Sequence, residues 1–176
     1  MKSAHFYLLL AGAMALSFNA RATDNTISFG YAQSNVKIDG NNDKLDDPKG
    51  FNLKYRYEID SEWGVGGALV HTYKGYNFYY DGNKGTADLD YYSLTVGPSY
   101  RFNEYVSAYG LIGVAQGKAK VSAPGYSDSE SKTSAAYGAG LQFNPIPNVA
   151  IDASYEYSKL NDIKIGTWMV GLGYRF

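Results

Sequence analysis

Apolar and polar residues alternate strictly in several segments of the chain. Between 51 and 59 the apolar positions are Phe51, Leu53, Tyr55, Tyr57 and Ile59, and the residues between them are Asn52, Lys54, Arg56 and Glu58. The same alternation recurs at 149–158 and 168–176. A strict period of two places the two sets on opposite faces of a β-strand. No segment after residue 22 has an equally clean helical period, so the sequence predicts an all-β fold.

Eight segments can be read as strands. They lie near 24–36, 49–59, 63–75, 88–102, 105–119, 131–144, 148–160 and 163–176. Short links alternate with longer polar ones at 37–48, 76–87 and 120–130, although the link at 160–162 is short as well. This order predicts an antiparallel up-and-down barrel with short turns in the periplasm and long loops outside the cell.

The two faces of the predicted strands differ in chemistry. The polar positions carry charges of both signs, which could pair with one another inside a barrel: Lys54, Arg56, Glu58, Arg101, Asp152, Glu156 and Arg175. Aromatic residues cluster near the short turns, as in the girdle of a membrane barrel: Tyr57, Tyr100, Phe102, Tyr174 and Phe176. We therefore predict a transmembrane barrel. Because a period of two does not say which face is outside, a soluble barrel or sandwich stays open as the alternative.

The N-terminus predicts export. Lys2 is followed by the apolar run Leu8–Phe18 and by Ala20-Arg21-Ala22, the small-x-small pattern of a signal-peptidase site. The run is too short for a membrane-spanning helix, which needs about 20 residues. We expect residues 1–22 to be a cleaved signal peptide and 23–176 to be the barrel domain. The alternatives are a short N-terminal anchor or a buried strand.

Composition excludes several classes of function. The chain has no Cys, and we find no metal-binding spacing, phosphate loop or dinucleotide fingerprint, so we expect neither metal nor cofactor. Acidic and basic residues nearly balance, which gives no reason to expect nucleic acid. His71 is the one histidine beyond the predicted signal peptide, and in an aromatic strand we interpret it as an interfacial side chain. We predict that the protein is not an enzyme.

Longer motifs resemble a known family. They are 50–58 (GFNLKYRYE), 137–145 (YGAGLQFNP), 166–176 (GTWMVGLGYRF), 47–50 (DPKG) and 154–160 (SYEYSKL). They are similar to the outer-membrane protein X family, most closely to its attachment-invasion-locus branch. The resemblance implies an outer-membrane barrel of eight strands without an open pore, and Phe176 as the C-terminal aromatic read by the assembly machinery. It also implies adhesion to extracellular-matrix proteins or glycosaminoglycans, and recruitment of complement regulators that gives serum resistance.

The outer loops are the expected contact region. Aromatic and basic residues there are candidate partner contacts: Tyr73, Lys74, Tyr76, Phe78, Tyr79, Tyr80, Lys84 and Lys120. The aromatics could equally form an upper girdle at lipid headgroups. Basic residues could bind sulfated glycans or lipopolysaccharide, but Asp81, Asp88 and Asp90 favour a mixed, solvated rim. Two functions stay open: a surface adhesin, and an envelope-stabilising or stress-related barrel without a host partner. In either case we expect a monomer, because a closed barrel has no free edge that demands a partner.

Overall fold

The computed structural model describes residues 24–38, 47–80, 83–123 and 125–176. The strands are β1 (Asn25–Ile38), β2 (Lys49–Glu58), β3 (Trp63–Tyr80), β4 (Asn83–Arg101), β5 (Val106–Ala123), β6 (Tyr126–Ile146), β7 (Val149–Leu160) and β8 (Ile163–Arg175). The predicted signal peptide and most of the predicted loop 37–48 lie outside the described residues. Within the described ranges, no helix is long and apolar enough to cross a membrane.

The strands form one closed barrel. Each strand pairs antiparallel with the next one in the chain, and β8 pairs with β1 from Thr26↔Arg175 to Ile38↔Ile163. Closure satisfies the backbone groups of both terminal strands and removes the free edges at which sheets aggregate. The predicted all-β, eight-stranded, up-and-down architecture is confirmed.

The barrel is apolar outside and polar inside. Phe29, Ile112 and Leu172 on the outer surface are 61%, 66% and 67% exposed, whereas Arg56 and Glu156 are 6% and 2% exposed. A soluble barrel has the opposite arrangement, because its apolar face must leave water. The outer surface is therefore built for lipid, as in transmembrane barrels, and the alternative of a soluble barrel or sandwich is wrong.

Two pairs of strands are longer than the sequence predicted. Segments 76–87 and 120–130, expected as loops, are mostly strand: β3 and β4 stay paired to Tyr80↔Asn83, and β5 and β6 to Ala123↔Tyr126. Above the membrane both faces of a hairpin meet water, so the alternation of apolar and polar residues that marks a strand is lost there. The polar composition therefore resembled that of a loop.

Short turns close the opposite end of the barrel. In the β2–β3 turn the Asp60 carboxylate accepts hydrogen bonds from the backbone N–H groups of Glu62 (2.8 Å) and Trp63 (2.7 Å). These bonds hold the pKa of the Asp60 carboxyl below its usual range. The Asn103 side chain accepts equivalent bonds from Tyr105 and Val106 in the β4–β5 turn. Such side-chain-to-backbone bonds are a common means of fixing a tight turn.

An aromatic girdle surrounds this short-turn end. The Trp63 and Tyr100 rings lie 5.0 Å apart edge to face, and the Tyr174 and Phe176 rings are stacked at 6.2 Å. Phe102 contacts Tyr100 and is 61% exposed. Aromatic side chains concentrate at the interface between lipid and water, so this ring marks one membrane boundary.

Candidate functional site

A four-stranded sheet projects from the end of the barrel opposite the short turns, which we call the long-hairpin end. β2 pairs with β3 only as far as Lys49↔Tyr73, and β7 pairs with β6 only from Ser158↔Ala136. Beyond these points β3, β4, β5 and β6 stay paired with one another, without β2 or β7 at their edges. At about 3.4 Å per residue, the extension of β3 from residue 74 to 80 adds on the order of 20 Å.

The predicted contact residues of β3 are divided between the two faces of this projecting sheet. Tyr73 and Tyr79 are 47% and 76% exposed and, by the alternation of a strand, lie on the same face. Lys74 and Tyr76 lie on the other, with the Lys74 Nζ 5.7 Å from the centre of the Tyr76 ring. Phe78, Tyr80 and Lys84 belong to the same hairpin, but the structure does not describe their side chains. A flat partner would therefore meet only part of the predicted set.

Charges on the projecting sheet are arranged in pairs of opposite sign. Lys120 stands directly across from Asp88, and Lys118 from Asp90. Lys132 forms a 2.7 Å ion pair with Glu130. Because each of these three lysines has a carboxylate across from it or beside it, this part of the rim carries both charges and is not uniformly basic.

An apolar pocket of about 310 Å³ opens at the same end of the barrel. Its lining includes Val36, Leu160 and Ile165, which belong to a buried apolar layer that crosses the interior. Lys118 and Glu130 stand at its border. The pocket has the size and polarity to accept one apolar side chain.

His71 lies on the outer surface of β3 among other rings. It stacks on Tyr92 with the ring centres 4.3 Å apart and contacts the edge of Phe51. Its Nε2 atom is 3.4 Å from the Asp90 carboxylate, a long contact. Across the described part of the chain, no three side chains of the metal-binding types are grouped to hold an ion. The environment of His71 is that of an interfacial aromatic.

The first polar layer of the interior lies next to the short turns. Glu58 accepts hydrogen bonds from Arg56 (2.6 Å) and Arg175 (2.9 Å), and it is also paired with Arg101. Arg175 bonds Asp24 as well. The structure thus brings four of the predicted network residues together in one cluster.

The second and third layers lie deeper. Lys54 is ion-paired with Asp152 and donates to the Ser154 hydroxyl (2.6 Å) and the Tyr109 hydroxyl (3.0 Å). Tyr109 in turn donates to Asp152 at 2.5 Å. Glu156, at 2% exposure, accepts from the Tyr91 hydroxyl at 2.8 Å. These layers fill the narrow interior that eight strands enclose.

Tyr91 and Tyr109 are interior residues that the sequence analysis missed. Neither was predicted to be inside, because most tyrosines of the predicted strands fall among the apolar positions. Tyr91, however, is in phase with Ser93 and Thr95, and Tyr109 with Ser107, all of which are buried. Following the phase of the small hydroxyl residues along β4 and β5 would have identified both.

Phe176 lies at the closure of the barrel. Its backbone N–H donates to the Asn25 carbonyl and its carbonyl accepts from the Asn25 N–H, both at 2.8 Å. The ring is 55% exposed on the lipid side. Its role in recognition by the assembly machinery stays a prediction.

Comparison with known proteins identifies the relatives of this chain. Residues 6–176 match the family model described as outer membrane protein beta-barrel domain. The attachment invasion locus protein of Yersinia enterocolitica is 64% identical over 157 residues, covering 88% of this chain and 87% of that protein. Outer membrane protein X of Escherichia coli is 44% identical, covering 96% of both.

A solved structure agrees with these sequence relatives. Ail, the attachment invasion locus protein of Yersinia pestis, was crystallised in complex with the heparin analogue sucrose octasulfate. It superposes with a TM-score of 0.82 at 57% identity, covering 89% of this chain and all of that one. These relatives are outer-membrane barrels and attachment proteins rather than enzymes, in agreement with the prediction that this protein is not an enzyme.

Proposed function

Because this chain belongs to the outer-membrane β-barrel family that includes the attachment invasion locus proteins and outer membrane protein X, we propose that it is a surface adhesin. The protein resides in the outer membrane, with its short turns in the periplasm and the projecting sheet outside the cell. In the proposed role, that sheet attaches the bacterium to sulfated glycosaminoglycans and matrix proteins of a host. Binding of complement regulators at the same surface would give serum resistance.

The observation that carries this proposal is the projecting sheet itself. A barrel needs only enough strand to cross the bilayer, about 9–11 residues, whereas β3 to β6 run for 18 to 21. The additional length brings Tyr79 to an exposed position away from the bulk of the barrel, and Tyr73 is exposed where the projecting sheet begins. Exposed tyrosines supply large contact area at low entropic cost and are frequent anchors of protein interfaces.

Sulfated glycans are the ligand class that the relatives favour. The Yersinia pestis relative was crystallised with a heparin analogue, and this chain carries Lys74, Lys118 and Lys120 on its projecting sheet. Because Asp88 and Asp90 face two of these lysines, we expect binding that depends strongly on salt and is weaker than on a purely basic surface.

The test is binding of the refolded barrel in lipid nanodiscs to heparin, laminin, fibronectin and complement regulators. One variant replaces residues 76–87 by Asn-Gly, which joins Gly75 to its partner Asp88 in a two-residue hairpin. The control variant replaces 121–128 in the same way and joins Lys120 to its partner Ser129. Both changes remove paired strand and leave the barrel below them intact.

We expect saturable binding by the wild type that falls at least tenfold when the β3–β4 hairpin is shortened. A smaller loss in the β5–β6 variant would assign the contacts to the part of the β3–β4 hairpin beyond Gly75. If no ligand binds above an empty nanodisc at physiological salt, the adhesin proposal is wrong. The barrel would then be an envelope-stabilising protein.

A further inference from the structure

The cluster around Glu58 contains more positive than negative charge. Three guanidinium groups, those of Arg56, Arg101 and Arg175, converge on the one Glu58 carboxylate. Asp24 adds a second carboxylate, but its side chain is 51% exposed and it contacts only Arg175 among the three. The side chains of Arg56, Arg101 and Glu58 are 7%, 10% and 8% exposed. A buried excess of positive charge is costly unless an anion compensates it.

Several N–H donors of this cluster have no acceptor. The Nε atoms of Arg56, Arg101 and Arg175 are buried without a hydrogen-bond partner, and so is Nη1 of Arg56. Buried polar atoms in proteins are nearly always paired, and each exception needs an explanation. Glu58 already accepts bonds from all three arginines, and because a carboxylate has only about four acceptor sites, it could satisfy at most one of these donors.

A large cavity leads to this cluster from the periplasmic side. Its volume is about 850 Å³, and Glu58, Arg101 and Arg175 are among its lining residues, whereas Arg56 contacts Glu58 from outside the lining. Asp60, Glu62 and Glu104 also line it, from the two short turns, and so does Asp24 just before β1. These carboxylates stand at the exposed mouth, where water and salt screen them, whereas the guanidinium groups act in a drier environment where charge has a longer reach.

We infer that Arg101 and Arg175 form a periplasm-facing site for a small oxyanion of the phosphate class, with Arg56 adding a third positive charge through its contact with Glu58. Guanidinium groups present a planar fork of donors that matches phosphate oxygens two at a time. A tetrahedral oxyanion offers enough acceptors for the unpaired Nε groups once the arginine side chains adjust around it. Glu58 holds the three forks close together, so they are arranged before the anion arrives.

Two sources could supply this chemistry, free phosphate or the phosphate of an inner-leaflet phospholipid headgroup. The probe is inorganic phosphate, titrated against chloride at constant ionic strength into the refolded full-length barrel with ¹⁵N-labelled arginine. The readout is the chemical shift of the arginine Nε–Hε resonances. One arm uses a detergent with a sugar headgroup and no phosphate, and the other uses nanodiscs that contain phosphatidylglycerol.

In the sugar detergent we expect a saturable shift that chloride does not produce. Arg101→Gln should weaken the apparent affinity at least tenfold. Glu58→Gln keeps an oxygen acceptor between the arginines but removes the competing negative charge, so it should tighten the affinity several-fold. Lys37→Gln, at an exposed position on β1 far from the short turns, should leave the affinity unchanged. Resonances that are already shifted in phosphatidylglycerol nanodiscs, before phosphate is added, would assign the site to a headgroup.

A shift no larger with phosphate than with chloride would overturn the proposal, and so would equal affinity in wild type and Arg101→Gln. If Arg101→Gln does not refold, Arg175→Lys takes its place. That variant keeps the charge of Arg175 but loses the planar fork of donors, so it too should bind phosphate more weakly. Unchanged affinity in Arg175→Lys would refute a site built on guanidinium geometry.

Discussion

Replacement of Lys54 by methionine tests whether the interior of the barrel is a dry, paired network. The Lys54 ammonium group is 8% exposed and the Asp152 side chain 3% exposed. Methionine keeps most of the length of the side chain, so the variant removes the charge with little change in volume. Asp152 would keep its hydrogen bond from Tyr109 and lose its only ion-pair partner among the described residues.

The expected cost follows from the burial of the carboxylate that remains. Removing one member of a buried ion pair typically costs about 3–5 kcal/mol, because the other charge is left without compensation. The bond from Tyr109 places the expected loss at the lower end, about 3 kcal/mol. The double variant Lys54→Met/Asp152→Leu has no charge to strand and should recover at least about 1 kcal/mol of that loss.

Unfolding in urea from lipid vesicles gives the measurement. Trp63 and Trp168 are partly exposed on the lipid face and report unfolding by fluorescence. Lys118→Met, at an exposed position outside the barrel interior, is the control. The single variant Asp152→Leu is measured as well. If the double variant loses as much stability as Lys54→Met and Asp152→Leu lose together, within about 0.5 kcal/mol, the pair is not coupled. The interior would then be wet enough to screen it, which would refute the reasoning.

Two further substitutions test the lower layer and the turn. Arg56→Leu removes one of three donors to Glu58, which keeps Arg101 and Arg175, so it should cost about 1.5–3 kcal/mol, the value of one hydrogen bond between charged groups. Lys118→Leu should change the free energy of unfolding by about 0.5 kcal/mol or less, and equal urea midpoints would contradict this placement of Arg56. Asp60→Asn should be less stable than wild type at neutral pH, because the lowered pKa of the Asp60 carboxyl stabilises the fold above its unfolded pKa of about 4. That stability is lost as the pH falls through the folded pKa, so a difference between Asp60→Asn and wild type that does not vary with pH in urea titrations would contradict it.

The architecture could be predicted from the sequence because the membrane imposes two different solvents on each strand. In β2, β7 and β8 every second residue meets lipid and every other one meets a polar interior, so the alternation survives in the sequence. The predicted limits of β7 differ from the observed ones by one residue. Above the membrane only water surrounds the strands, and there the predicted end of β3 and the predicted start of β4 are wrong by five residues each.

The partners of interior side chains were harder to predict than their direction. Lys54 and Asp152 belong to β2 and β7, which are not neighbours in the sheet, and their contact depends on the width of the closed barrel. Period two assigns a face, but it does not say which side chains meet across the lumen. The role of Tyr109 as a bridge between them required the same three-dimensional information.

The sequence was sufficient to locate the candidate contact surface but not to predict which of its side chains share a face. Its composition identified the segment 73–80, because aromatics and lysine in a polar stretch are unusual. The division of Tyr73 and Tyr79 from Lys74 and Tyr76 follows only from the segment being a strand rather than a loop. A loop could present all of these side chains to one partner, whereas a strand cannot.

The long β3–β4 hairpin also has a mechanical consequence. A pull on its tip, directed away from the cell, acts along the strands and not across them. Hydrogen bonds between β3 and β2, and between β4 and β5, would then be loaded in shear, all at once, instead of opening one after another. A bacterium held by this hairpin in flowing fluid would transmit drag into the whole wall of the barrel.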